Sequence, residues 1–206
     1  MEKYDVIEHR ERSEEGENSY IISALNFVVP TYIKFRFSQK LLKGSEITFD
    51  GKTVYYENAQ TSDILECKKG SEITIDTSYD IKYTGGYSID GKTIFIDRNF
   101  PTSLDIGGKT VNILESIGRH HELTEKWLTG DAYEYPYAHE IADGIEKRYV
   151  ESLGIDWTAY SNEVGKHLHE TYARKLQRSP KDLDLSPYIY SHDNLAIEEI
   201  RESQEV

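Results

Sequence analysis

The feature that most constrains the fold is a change of period along the chain. From Tyr20 to about Phe100 apolar and polar residues alternate, the two-residue repeat of a half-buried strand. Beyond Pro101 the apolar residues recur at helical spacing instead. Strand-like runs fall at residues 19–29, 31–37, 46–49, 53–57, 72–77 and 93–97. Asp50-Gly51-Lys52-Thr53 and Asp90-Gly91-Lys92-Thr93 repeat one turn signal, and Asp-Gly supplies the positive φ angles of a tight hairpin. Helical periodicity covers 111–128, 137–153 and 157–177; Thr129-Gly130 closes the first stretch, Pro136 opens the second, Gly154 closes it and Asp156 caps the third. The expected fold class is α+β: a β-rich N-terminal half with hairpins, then a three-helix core.

Four zones follow from this pattern: a charged arm over 1–19, a β-rich module over 20–79, an α+β core over 80–178, and an extended tail over 179–206 with a short helix near 195–202. Lys43-Gly44-Ser45-Glu46-Ile47-Thr48 recurs as Lys69-Gly70-Ser71-Glu72-Ile73-Thr74, each copy leading toward a strand. Two copies fall short of a repeat architecture.

Charge and cysteine usage narrow the function classes. With 24 basic against 37 acidic residues the formal charge is −13, a field that repels phosphate, so no nucleic-acid partner is expected. The longest apolar stretch, 20–37, is broken by Asn26, Pro30, Lys34 and Arg36, which argues against a membrane partner. The single Cys67 excludes an internal disulfide and a cysteine zinc knuckle, and it reads as a packed small hydrophobe. No apolar leader precedes Asn18, so an intracellular, reducing location is expected. Among the aromatic residues 16 are Tyr, 6 Phe and 2 Trp, a bias toward rings with a polar tip, suited to amphipathic core edges or to contact surfaces.

The chemistry concentrates in two helices. On the first, the apolar stripe Leu114, Ile117, Leu128 passes through His121 and Glu125, so an imidazole and a carboxylate stand where packing calls for Leu or Ile. Burying both is costly unless they pair or bind a cation. On the second, His139 and Glu146 flank a stripe of Ala138, Ile141, Ala142, Ile145 and Tyr149. If the two helices pack antiparallel, His121, Glu125, His139 and Glu146 converge into a two-histidine, carboxylate-rich pocket suited to Zn2+ or another divalent cation. A satisfied histidine–carboxylate pair in a helical core is the competing reading. His120 is expected at the helix flank, and His167 near the third helix's stripe is a reserve ligand.

The run His121-Glu122-x-x-Glu125 resembles the His-Glu-x-x-His helix of zincin-type metallopeptidases, with Glu in place of the second His. The wider layout resembles a group of uncharacterised bacterial and phage proteins with a zincin-like core. In these a strand ending in Asp-Arg precedes a His-Glu-x-x-Glu helix and then an Ala-His-x-x-Ala-x-x-x-Glu helix. Here those are Ile96-Asp97-Arg98, His121 to Glu125, and Ala138 to Ala142 with Glu146, within roughly residues 80–160. The resemblance implies a zincin-like core with His121 as first ligand, Glu122 as general base and Glu125 as second ligand. It also implies residues 93–97 as an edge strand that takes extended peptide, with Thr84-Gly85-Gly86 as a lip over the cleft. Arg98 then either contacts a substrate carbonyl or pairs with a core carboxylate.

The function expected is a zinc-dependent hydrolase, a peptidase acting on a peptide or protein substrate. The alternative is a non-catalytic structural protein, such as a virion component, that keeps the scaffold for assembly partners. A carboxylate-bridged two-metal site would recruit Glu115, Glu122 and Asp143 as well. Asp105-Ile106-Gly107-Gly108-Lys109-Thr110 lacks the first glycine of a phosphate loop, and no Gly-x-Ser-x-Gly elbow occurs.

Overall fold

The computed structural model describes residues 1–14 and 17–204. The fold is α+β, with strands concentrated in the N-terminal part and helices in the C-terminal part. It divides into two compact units, residues 1–72 and 73–206. The boundary therefore falls inside the stretch expected as one β module over 20–79.

The first unit is a seven-stranded antiparallel sheet of order β6-β5-β4-β1-β2-β3-β7. Its strands are β1 (Glu2–Glu14), β2 (Glu17–Asn26), β3 (Thr31–Phe37), β4 (Glu46–Phe49), β5 (Val54–Tyr56), β6 (Ala59–Thr61) and β7 (Ile64–Lys69). β6 and β7 stand at opposite ends of that order, yet only Ser62 and Asp63 separate them. A flat sheet would hold these ends about 29 Å apart at ~4.8 Å per strand, beyond the reach of two residues, so the sheet curls. The curl is held across its seam by Arg36 N donating to Asp63 O at 2.9 Å and Thr61 Oγ1 donating to Arg36 O at 2.9 Å. Its interior is the inward set of the alternating strands: Tyr4, Val6, Ile22, Ala24, Ile33, Phe35, Phe37, Ile47, Phe49 and Val54, closed by Leu41.

The charged arm expected over 1–19 is a strand as far as the described residues reach, with Gly16 outside them. Tyr4 and Val6 point into the core, but the register against β2 shifts between Val6 and Glu8, and Ile7 is buried as well. This bulge breaks the alternation that would have marked a strand. Cys67 lies exposed on β7 rather than packed. The Asp50-Gly51 turn joins β4 to β5 as an antiparallel hairpin.

The second unit is built on a three-stranded sheet of β8 (Thr74–Asp76), β10 (Thr93–Ile96) and β9 (Gly85–Tyr87), with β10 in the centre. β10 runs parallel to β8 and antiparallel to β9 across the Asp90-Gly91 turn. Residues 93–97 thus fall on the middle strand, not the edge; β8 and β9 are the edges. The second copy of the short echo breaks between the units, forming a 3-10 turn at Gly70–Glu72 before β8. A hairpin of β11 (Ser103–Ile106) and β12 (Lys109–Asn112) follows, turning on Gly107 and Gly108, both at positive φ (58° and 81°). That turn is what the Gly-Gly-Lys-Thr run builds.

Among the described residues five helices follow, where three in the core and a short one near 195–202 are expected: α1 (Leu123–Gly130), α2 (Tyr135–Ser152), α3 (Trp157–Ala173), α4 (Ser186–Tyr190) and α5 (Asn194–Gln204). α1 is entered through a π-helical stretch, Leu114–Glu122, whose wide turn ends with Leu123 N bonded to Gly118 O. Gly118 lets this stretch approach the sheet: a Cβ there would lie 3.2 Å from Ile75 Cδ1. Asp156 caps α3 as expected, accepting from Ala159 N at 2.8 Å. The C-terminal segment is packed rather than an extended tail, because Leu183, Tyr188, Ala196, Ile197 and Ile200 bury against Ile81 and Phe95. No helix among the described residues is long and apolar enough to cross a membrane.

Candidate functional site

The polar residues on the buried stripes meet where the π stretch, α1 and α2 pack together. His121 is buried, and its Nδ1 lies 3.0 Å from Glu146 Oε2 and 3.3 Å from Asp143 Oδ1. His139 is half-buried; its Nδ1 lies 2.7 Å from Glu125 Oε2 and its Nε2 3.8 Å from Asp143 Oδ2. The two rings meet edge to face, with centroids 4.9 Å apart. One donor atom each from His121, His139 and Asp143 lies within 4.8 Å of the others, so this group can hold a metal ion. Two imidazoles and a carboxylate are a donor set that suits zinc.

Glu125 and Glu146 enter this constellation as hydrogen-bond partners of the rings, and Asp143 takes the carboxylate position beside them. Each glutamate is in turn anchored by a buried tyrosine. Tyr87 Oη donates to Glu125 Oε1 at 2.9 Å, and Tyr160 Oη donates to Glu146 Oε1 at 2.5 Å while touching Ser116 Oγ at 2.9 Å. Two tyrosine–glutamate–histidine chains thus fix the orientation of the two imidazoles, the arrangement by which buried carboxylates orient metal-binding histidines. Burial opposes charge on His121, but its hydrogen bonds with Asp143 and Glu146 prevail and hold its pKa well above the ordinary value. Burial likewise works against ionising Asp143, and the His121 contact overcomes it to hold that carboxyl below its usual range.

A cavity of about 580 Å3 opens on this group. His121 and Glu122 line it from the π stretch, Glu125 from α1, and His139, Asp143 and Glu146 from α2, while Thr84 and the β9 residues Gly85 and Gly86 line it where the lip is expected. Apolar lining comes from Ile117 of the π stretch and from Trp157, Val164 and Leu168 of α3. Only Tyr160 and Thr171 of α3 are fully buried, so this helix spends its apolar stripe on the cavity. Its acidic lining residues include Asp184, itself paired with Lys126 at 2.7 Å; no lysine or arginine lines it among the described residues.

Glu122 is buried, and among the described residues no group hydrogen-bonds its carboxylate. Burial, with the charges of Glu125 and Glu146 adding to it, pushes its pKa up to about 8. Gly85 makes room for it, since a Cβ there would lie 2.8 Å from Glu122 Oε1.

Other expected residues stand apart. Arg98 forms a bidentate pair with Asp80, at 2.6 Å and 3.2 Å, and reaches Gln177; it does not line the cavity, which leaves the core ion pair as its observed role. Glu115 pairs with Arg119. His120 is buried rather than flanking, stacked on Tyr149 at 3.9 Å with Nδ1 2.7 Å from Glu115 O. His167 packs against Phe100, away from the cavity. The anchoring tyrosines carried no sequence signal beyond their number; Asp143, one helical turn beyond His139, carried a weak one.

A larger cavity of about 750 Å3 lies in the first unit, lined by Tyr4, Thr31, Phe49 and Cys67, and it brings together no histidine. No family model, no curated protein and no solved structure matches the chain.

Proposed function

We propose that the second unit is a metal-dependent hydrolase of acyl bonds, with the peptide bond as the substrate that suits it best. The observation that carries this reading is the placement of a two-histidine, one-carboxylate donor set at a cavity that also holds a buried carboxylate free of hydrogen bonds. A zinc or other divalent ion held by His121, His139 and Asp143 would supply the positive charge that acidifies water and polarises a carbonyl.

The chain's own groups would do the rest. Glu122 takes a proton from the attacking water and passes it to the leaving nitrogen as the carbon–nitrogen bond breaks, so one amide and one water become a carboxylate and an amine. Glu125 and Glu146 keep the imidazoles in place. The apolar wall of Ile117, Trp157, Val164 and Leu168 excludes water and accepts an apolar side chain. The absence of lysine and arginine from the lining favours neutral or cationic substrate segments over anionic ones.

The test is elemental analysis of the purified protein beside its His121→Ala, His139→Ala and Asp143→Ala variants, followed by a peptide-cleavage screen with Glu122→Gln as control. About one equivalent of metal, lost in all three variants, with cleavage abolished and metal retained in Glu122→Gln, supports the reading. Protein that binds no metal after reconstitution refutes it. Protein that binds metal and cleaves nothing is a metal-stapled scaffold, and the assembly reading replaces this one.

A further inference from the structure

The outer side of β9 is only half covered. Ser88 N donates to Thr93 O and Asp97 N donates to Thr84 O, so Thr84, Gly86 and Ser88 turn their peptide groups toward β10. The intervening Gly85 and Tyr87 turn theirs away. Residues 182–184 run antiparallel beside the far part of that edge, with Leu183 opposite Ser88. Ile89 N donates to Asp182 O at 2.8 Å, and Asp184 N donates to Tyr87 O at 2.9 Å. The cover ends there: Asp184 Oδ1 accepts from Ser186 N at 2.9 Å and the chain turns into α4. Two residues before Tyr87, the N–H and C=O of Gly85 have no hydrogen-bond partner among the described residues. Gly85 lines the cavity that opens on His121, His139 and Asp143.

We propose that this site takes a peptide by its free N-terminus and releases the first one or two residues. This specificity rests on the hydrolase reading above and narrows its substrate to chain ends. A strand laid on Gly85 in line with residues 182–184 runs antiparallel to β9. Its first residue comes up against the Asp184 turn, where residues 182–184 already hold the edge. Gly85 stands beside Glu122, whose Oε1 would lie 2.8 Å from a Cβ on it, so the bond that meets Glu122 lies near the level of Gly85. Tyr87, where the cover begins, is two residues away, about 7 Å along a strand. That span holds one or two substrate residues ahead of the bond that breaks.

Charge selects the same chain end. Glu122, Glu125, Asp143, Glu146 and Asp184 line the cavity, and no lysine or arginine does among the described residues. Lys126 pairs with Asp184, and the other four carboxylates outweigh a divalent ion. Such a lining attracts an α-ammonium and repels an α-carboxylate, which would in any case need a strand parallel to β9. Space for the rest of the peptide lies elsewhere on the wall. Tyr83 and Leu168 also line a neighbouring cavity of about 320 Å3, together with Gly165, His169 and Tyr172. Each cut consumes one water and leaves a one- or two-residue fragment with a new carboxylate. The shortened peptide gains a new ammonium and can enter in turn.

The experiment incubates the zinc-loaded protein with one set of decapeptides of mixed sequence in three forms: both ends free, N-acetylated, or C-terminally amidated. Products are read by mass spectrometry. The expected result is loss of one or two residues from the N-terminus of the free and the amidated forms, with kcat/KM lower by about 100-fold for the acetylated form. Equal cleavage of the acetylated form, or cuts confined to the middle of the chain, overturns this specificity and leaves the hydrolase reading standing. Dependence on a free C-terminus overturns it as well, because the end held would then be the carboxylate. Zinc-loaded protein that cleaves none of the three forms removes the hydrolase reading, and this specificity with it.

Discussion

Tyr160→Phe separates an orienting chain from a mere core contact. The phenol is 1% exposed and has a single hydrogen, which at 2.5 Å belongs to Glu146; the 2.9 Å contact with Ser116 then runs from the serine to the phenol oxygen. Removing the hydroxyl leaves both Glu146 and Ser116 short of a partner in a buried site and opens almost no volume. A hydrogen bond to a charged group contributes about 1.5–3 kcal/mol, so the metal-free variant should lose about 2 kcal/mol in urea unfolding. Glu146 also holds His121 Nδ1, and loosening such an outer partner typically costs about 10- to 100-fold in metal affinity. Zinc affinity, measured by competition with a chelating dye, should fall in that range. In a double-mutant cycle with Glu146→Gln, most of the affinity loss from Tyr160→Phe should disappear, because the two changes break one chain. Unaltered zinc affinity alongside the stability loss, or additive losses in the cycle, would refute the reasoning.

Three further outcomes are expected. Metal-free protein should lose stability as pH rises from the ordinary carboxylate range through about 8, because a raised Glu122 pKa means the folded state binds the extra proton in that window. A gap of this size corresponds to at most about 5 kcal/mol. Glu122→Gln should flatten that loss without removing it, since the raised His121 pKa acts with the same sign; parallel unfolding curves at pH 5 and pH 9 for the two proteins would show that Glu122 is not the cause. Gly85→Ala should push Glu122 aside and lower kcat by about 100-fold while zinc content stays constant, given the 2.8 Å approach to its carboxylate oxygen; unchanged turnover would mean that Glu122 does not act from where it lies. Arg98→Lys should destabilise by about 1–3 kcal/mol through loss of the bidentate Asp80 contact and leave KM alone; a raised KM at full stability would restore Arg98 as a substrate contact.

The α+β class and both Asp-Gly hairpins were legible in the sequence because alternation and turn chemistry are local signals. What escaped has local causes too. β1 reads as a charged arm because only the inward face of a curled sheet must be apolar, and the shift at Ile7 splits Tyr4 and Val6 from the rest. The C-terminal segment reads as a tail because of Pro180 and Pro187, yet Pro187 sits in the first turn of α4, where its missing N–H costs nothing. The apolar run beginning at Val111 fits either period, and the strand wins for Val111 itself because β12 pairs with β11.

The site divides along the same line. His121, Glu125, His139 and Glu146 were legible because each is a polar group on or beside an apolar stripe, and the structure brings all four together. Their division of labour was not, for two reasons. The π stretch before His121 carries an extra residue per turn, so a wheel drawn at α-helical spacing does not place Asp143 opposite that ring. The tyrosine contacts join residues 38 and 14 positions apart, and no spacing rule reaches across such gaps. Yet those contacts decide the roles. A glutamate that accepts a tyrosine proton on one oxygen and faces a histidine nitrogen with the other has both oxygens engaged. Asp143, with about half of its side chain exposed and no tyrosine on it, keeps an oxygen to offer a cation. Of the three carboxylates that contact the two histidines, the one that can bind metal is therefore the one the fold leaves least satisfied, a property of packing rather than of sequence pattern.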